Sequence, residues 1–386
     1  MAFLKSLLKE IRDNINDFTI MILLVAGPIA LTVIFGGAYF NTYVEDMPIA
    51  ILDNDNSSMS RMMVQQFEES DRFVIQYRVD SEAQLKELLD SGKIIMGLCI
   101  PQNFSNDVKT LKSSEVLVIV NGTNIVTGNN SFAQASTIIQ TIAAGVQIKT
   151  VEAKGIPAQV AKDMVMSFKF DDRMLYDPRN KYLNYLIFGY IAVFLQQVML
   201  SGLGFSILRD AKEVAAKNTL GKVGLKFLAC AVFALTSTFA AIEIAVKFFG
   251  VPLKGSILAA LLLASIFSIS IVGPVLIIAA LTGEKLKYAQ ISFMLSLPAF
   301  ITCGYVWPLD QMPSSLVLAV KLLWPLASFA RSFDELLIKG FPMSSLKGDM
   351  LSMMIYTIFW LPIAIFIFKK KFKRNVITGV PKEIGA

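Results

Sequence analysis

Five stretches of this chain contain no Asp, Glu, Lys or Arg: 18–44, 182–208, 255–283, 288–309 and 350–368. A sixth, 227–246, is interrupted only by Glu243. Each is near or above the roughly 18 to 20 apolar residues needed to cross a bilayer core. A soluble core rarely needs six such windows. The composition, 54% hydrophobic and only 17% charged over 386 residues, points the same way. The pattern predicts a mostly α-helical membrane protein with six spanning helices, at about 18–40, 182–208, 226–248, 256–282, 288–306 and 350–368.

Lys and Arg orient those spans. With an even number, both termini share a side with the 209–226 loop, Lys285, Lys287 and the basic tail from Lys369 to Lys382. That side holds 16 basic residues against six in the short loops opposite. Both termini are therefore expected in the cytoplasm. The long segment 41–181 is then extracytoplasmic. It carries 14 basic and 18 acidic residues, so the chain's net charge of +6 comes from membrane-flanking loops and not from a nucleic-acid surface. Residues 1–17 place Phe3, Leu4, Leu7, Leu8, Ile11 and Ile15 on one helical face, which predicts an interfacial amphipathic helix ahead of a retained first span. The alternative is a basic tail that only sets orientation.

Segment 41–181 alternates strand and helix signals: strands at 48–52, 72–79, 93–100 and 115–121, helices at 58–69, from Ser81, near 103–111, and at about 129–154 and 157–168. This predicts an α/β layer domain with one small sheet. Asp53 and Asp55 resemble the start of a calcium loop. The spacing puts Ser58 and Val64 where that loop needs Gly and Glu, so the stretch reads as strand, cap and helix. After the fifth span, Trp307, Pro308, Pro313 and Pro325 interrupt an apolar run, which predicts a re-entrant hairpin over about 307–335 at the outer interface.

Much chemistry is excluded. The chain has no histidine, and its three cysteines, Cys99, Cys230 and Cys303, are far apart with no metal spacing. Gly122 to Gly128 has the glycine spacing of a phosphate loop but continues Asn129-Asn130 instead of Lys-Ser/Thr. Energised work would need a partner.

One span, a large external α/β segment, five further spans and a re-entrant hairpin resemble the layout of ABC-2 type transport permeases. The resemblance rests on Ala50-Ile-Leu-Asp-Asn-Asp-Asn-Ser-Ser-Met-Ser-Arg61, Ile100-Pro-Gln-Asn-Phe-Ser105, Val120-Asn-Gly-Thr-Asn124 and Gly304-Tyr-Val-Trp-Pro-Leu-Asp-Gln-Met-Pro313. It implies a permease subunit of an ATP-driven exporter and not an enzyme. ATP would bind only to a separate ATPase subunit, and this chain would bind no cofactor itself. The other implied partners are a second permease copy, membrane lipid and a periplasmic adaptor, without nucleic acid. ATPase docking would fall to Lys5, Lys9 and Arg12 and to the loop Arg209, Asp210, Lys212 and Glu213, although that loop lacks the family's Arg-Glu-x-Glu-x-Gly-Thr-like run. A membrane-anchored receptor or assembly factor is the competing reading.

Within the spans, a carboxylate costs roughly 2.5 to 3.5 kcal/mol on insertion scales, which singles out Glu243. Lys247 lies four residues on and offers it an ion pair; a substrate or proton role is the alternative. Gln196 and Gln197 suit either interhelical hydrogen bonds or the lining of a path. Ser201, Gly202 and Gly204 read as close helix packing.

Overall fold

The computed structural model describes residues 2–40, 45–110, 112–166, 175–177, 181–216 and 218–377. The expected links through 41–44, 167–174 and 178–180, Lys217, and the tail beyond 377 lie outside the described residues. The chain divides into two compact units. One comprises Met1–Thr42 with Met174–Ala386, the other Tyr43–Arg173.

The first unit opens with α1 (Ala2–Asn16), whose Phe3, Leu4 and Leu8 are exposed. Asp17 ends it and starts α2 (Phe18–Ala38) by accepting the Ile20 amide at 3.3 Å.

The second unit is built on a small mixed sheet of β1 (Met47–Asp53), β2 (Phe73–Arg78), β3 (Met96–Ile100) and β4 (Leu117–Val120), in the order β2-β1-β3-β4. β1 pairs parallel with β2 and β3, while β4 runs antiparallel to β3. The two-residue period sorts side chains between faces. Ile49, Ile51, Leu98 and Ile100 meet α3 (Ser58–Glu68), α5 (Phe104–Lys109) and α6 (Ile125–Glu152). Ala50, Leu52 and Cys99 meet Leu85 and Leu89 of α4 (Glu82–Asp90) on the other face. A short α7 (Ala158–Val165) follows.

The Asp53 turn is fully occupied. Asp53 accepts the Asp55 and Asn56 amides at 3.1 and 3.0 Å and the Ser60 hydroxyl at 2.7 Å. Ser57 and Ser60 cap α3 reciprocally. Asp55 accepts the Ser105 amide at 3.1 Å. No group of residues suited to a metal ion occurs among the described residues.

The first unit continues with α8 (Tyr182–Arg209), α9 (Ala211–Ala216), α10 (Thr219–Lys247), α11 (Ile257–Thr282), α12 (Lys285–Thr302), α13 (Ser314–Leu323), α14 (Leu326–Leu337) and α15 (Met343–Lys373). Among the described residues, five helices are long and apolar enough to cross a membrane: α2, α8, α10, α11 and α15. The expected span 288–306 corresponds to α12, which begins Lys285-Leu-Lys287 and falls outside that set. α13 and α14 are bent by 91° at Trp324-Pro325, and the pair would make a sixth crossing only if counted as one span.

Two π turns interlock within this bundle, Ile22–Ala26 in α2 and Met199–Leu203 in α8. Gly202 leaves room for Leu24, whose side chain would lie 2.3 Å from any Cβ there. Gly204 likewise makes way for Tyr288, whose hydroxyl donates to the Leu200 carbonyl at 2.7 Å. The Leu200 carbonyl also accepts the Gly204 amide, so Tyr288 adds a second bond that ties α12 to the π turn of α8.

Candidate functional site

Three polar clusters stand out against the apolar bundle. The first lies at the end that carries α1. Lys226 on α10 is 3% exposed and donates to Glu10 at 3.0 Å and to Asp210 at 2.6 Å. Arg209, at the end of α8, reaches Glu10 at 3.2 Å, Asp210 at 3.5 Å and the Asp13 carbonyl at 3.3 Å. Two carboxylates and two cations thus close a ring that joins α1, the α8–α9 junction and α10. Burial opposes ionisation of Asp210, but Lys226 and then Arg209 hold its carboxyl below the usual range. Beside the ring, Glu213 accepts from Lys222 at 2.9 Å, and clefts of about 410 and 630 Å³ open between α1 and α9.

Here the expected docking residues separate. Arg209 and Asp210 are committed to the internal ring. Lys5, Lys9, Arg12 and Lys212 are exposed, and the Glu213 side chain is 75% exposed. Glu10 and Lys226 were not among the expected residues. Lys226 sits at the margin of an apolar window, where a lysine reads as a flanking cation and only its partners show otherwise.

The second cluster sits midway along α8. Gln196 is fully buried and its Oε1 accepts from the Trp324 indole at 2.5 Å, while its Nε2 has no partner. Gln197 donates to Ser201 at 2.8 Å and accepts from the Ser296 hydroxyl of α12. Both glutamines therefore bond outside their own turn, and Gln196 alone keeps a spare donor facing the interior.

The third cluster is at the opposite end. The Tyr185 hydroxyl donates to the Tyr305 carbonyl at 2.8 Å, and the Tyr305 hydroxyl donates to the Tyr185 carbonyl and to Asp334 at 3.2 Å. The rings stack at 5.7 Å, in space that Gly189 leaves by having no Cβ. This exchange pins the segment before Trp307 onto α8. Trp307, Pro308 and Pro313 are exposed, Pro313 directly precedes α13, and Pro325 is buried at the 91° bend. The bend would strand carbonyls in an apolar setting. Trp360 and Tyr356 of α15 donate to those of Leu322 and Leu323, at 2.8 and 2.9 Å. Glu243 pairs with Lys247, the i,i+4 partner that its position suggests.

Nothing in these clusters resembles a hydrolytic centre, whereas buried polar groups between long apolar helices suit passage of a solute. A family model described as ABC-2 family transporter protein matches residues 18–366. The chain is 24% identical over 376 residues to the "Probable multidrug ABC transporter permease YbhR" of Escherichia coli (strain K12), covering 94% of this chain and 97% of that one. It is 29% identical to the "Probable multidrug ABC transporter permease YbhS" of the same strain over 98 residues, a quarter of each chain. No solved structure matches. With the family model spanning most of its length, and several helices able to cross a membrane, the chain belongs to the ABC-2 family of transporter proteins and is a multi-pass membrane permease.

Proposed function

We propose that this permease is the membrane subunit of an ATP-driven exporter, coupled to a separate ATPase in the bacterial cytoplasmic membrane. Both termini are cytoplasmic in this reading, the unit Tyr43–Arg173 faces outward, and α12 completes six spans. The excess of basic residues beside the termini supports the orientation. A second permease copy, and a periplasmic adaptor where one is used, would complete the assembly. The relatives' printed names make drug-like organic molecules the proposed cargo.

The observation that carries coupling is the ring around Lys226. It ties α1, the end of α8 and α10 into one block, so a load on α9 is passed to two spans at once. ATP binding to the partner would then bias the spans between inward-open and outward-closed states. Of the two glutamines, Gln196 with its spare donor would meet cargo while Gln197 braces α8 against α12, and Glu243 would lie closer to the outer end. The segment from Trp307 to Pro325 would serve as the outer gate. Docking would use Lys5, Lys9, Arg12, Lys212 and Glu213, the exposed members of the basic face.

The test is co-reconstitution with the ATPase that copurifies with the permease. Lys212→Glu with Glu213→Lys should cut permease-stimulated ATP hydrolysis severalfold while insertion and thermal stability hold, because neither residue belongs to the ring. Unchanged stimulation would remove α9 from the docking surface. Absence of any associated ATPase would favour the receptor reading. Arg209 is a poor probe, since reversing it breaks its contact with Glu10.

A further inference from the structure

The sheet unit carries an apolar groove floored by its own core. A cavity of about 500 Å³ lies between α5, α6 and the segment 112–116, in the size range of small-molecule sites. Its walls are Phe104, Val108, Val116, Ile139 and Val146, over Met63. Met63, Phe104 and Ile142 are buried members of the main core on that face of the sheet and form the cavity floor, while Lys112, Ser113, Ala143 and Gln147 are exposed along its rim.

Its shape and its charge each narrow the occupant. The α6 wall runs from Ile139 to Thr150, a length of about 16 Å at the helical rise. A groove of that length beside α6 suits one extended chain laid along the helix. Ala143 lies on this wall, where a larger side chain would fill the channel. Ser113, Ser114 and Gln147 add polar groups, and Lys112 is the one charged residue of the lining, with no carboxylate among the rest. A cationic head would meet Lys112 unshielded, whereas an anionic head gains a charge-assisted contact there. That sign is notable in a segment with more acidic than basic residues.

We propose that this cavity binds a single-chain amphiphile with an anionic head group, its chain along α6 and its head at Lys112, Ser113 and Ser114. The site lies wholly within the unit Tyr43–Arg173, and its occupancy does not depend on the exporter reading.

The test uses the full-length protein in liposomes and a long-chain fatty acid bearing a diazirine on its chain, with adducts located by mass spectrometry after illumination. Adducts should concentrate on 104–116 and 139–150. Ala143→Trp should abolish them there while adducts within the spans persist. Lys112→Glu, at an exposed position and so without a folding demand, should lower the yield about tenfold, equivalent to one lost charge-assisted contact. A quaternary ammonium probe of equal length should label wild type less than the fatty acid does, and overtake it in Lys112→Glu. A single-chain phosphate ester in parallel reports whether carboxylate or phosphate is the better head. Adducts absent from both segments, adducts unchanged by Ala143→Trp in a protein of wild-type melting temperature, or equal labelling by both charges would each overturn the proposal.

Discussion

At the scale of single residues, neighbours in sequence have unlike roles. Gln197 holds α8 to α12 through Ser296 and also donates to Ser201, while Gln196 keeps an unpartnered Nε2 in a fully buried position. Hydrogen bonds between membrane helices average about 0.6 kcal/mol, so Gln197→Leu should cost about 1 kcal/mol and lower transport of all cargo alike. Gln196→Leu should leave the melting temperature within a few degrees and change the relative rates of different cargo. Equal effects of the two variants in a thermal-shift and transport comparison would end this division of labour. Lys226 is more exacting. Lys226→Met leaves Glu10 and Asp210 with Arg209 as their shared cation, and because both carboxylates are partly exposed the loss should fall below the roughly 3 to 5 kcal/mol of a fully buried pair, measurable as a fall in thermal stability. Asp210 is held below its ordinary pKa, so its contribution is present above the unfolded value near 4 and is lost only as pH falls through the lowered value. The Asp210 contribution should therefore stay constant from pH 7 to 5 and fall away below about 4. Asp210→Asn should flatten that drop, and an identical acid limb in the variant would contradict the assignment.

At the scale of elements, the broken helix α13–α14 depends on α15. The chain can turn by 91° there because Tyr356 and Trp360 satisfy the carbonyls that the break releases. Tyr356→Phe with Trp360→Phe removes both donors while leaving an aromatic ring at each position. The double variant should lose about 1 to 2 kcal/mol and expose a cysteine placed at Ala327, buried beside the bend, to thiol reagents. Unaltered reactivity would show that the bend stands without α15. A similar dependence governs the π turns, whose facing residues Leu24 and Gly202 fit only as a pair. The glycine cluster on α8 was readable as close packing. The partner side chain and the π geometry were not, because hydrophobic periodicity carries no record of an inserted residue until two helices meet.

At the scale of the whole molecule, the proposed orientation can be checked by thiol labelling, helped by the burial of Cys99, Cys230 and Cys303. A cysteine at Ser113 should react with an impermeant reagent in intact spheroplasts, and one at Glu213 only after lysis. The opposite result would invert the topology. Hydropathy and charge distribution by themselves determined that the chain is a membrane protein, where most of its apolar helices lie, and that an α/β segment interrupts them, because lipid demands long charge-free helices and water does not. The strands and the Asp53 cap were legible for a similar reason, since alternation and turn oxygens are local. Only the tertiary structure decided which charges are spent internally. Arg209 and Lys226 look in sequence like any basic flank, and Glu10, some 200 residues away, becomes their partner only once α1 folds back onto α10. Burial makes such a ring necessary, since a cation at 3% exposure must find carboxylates, and burial is a property of the packed bundle and not of any one segment.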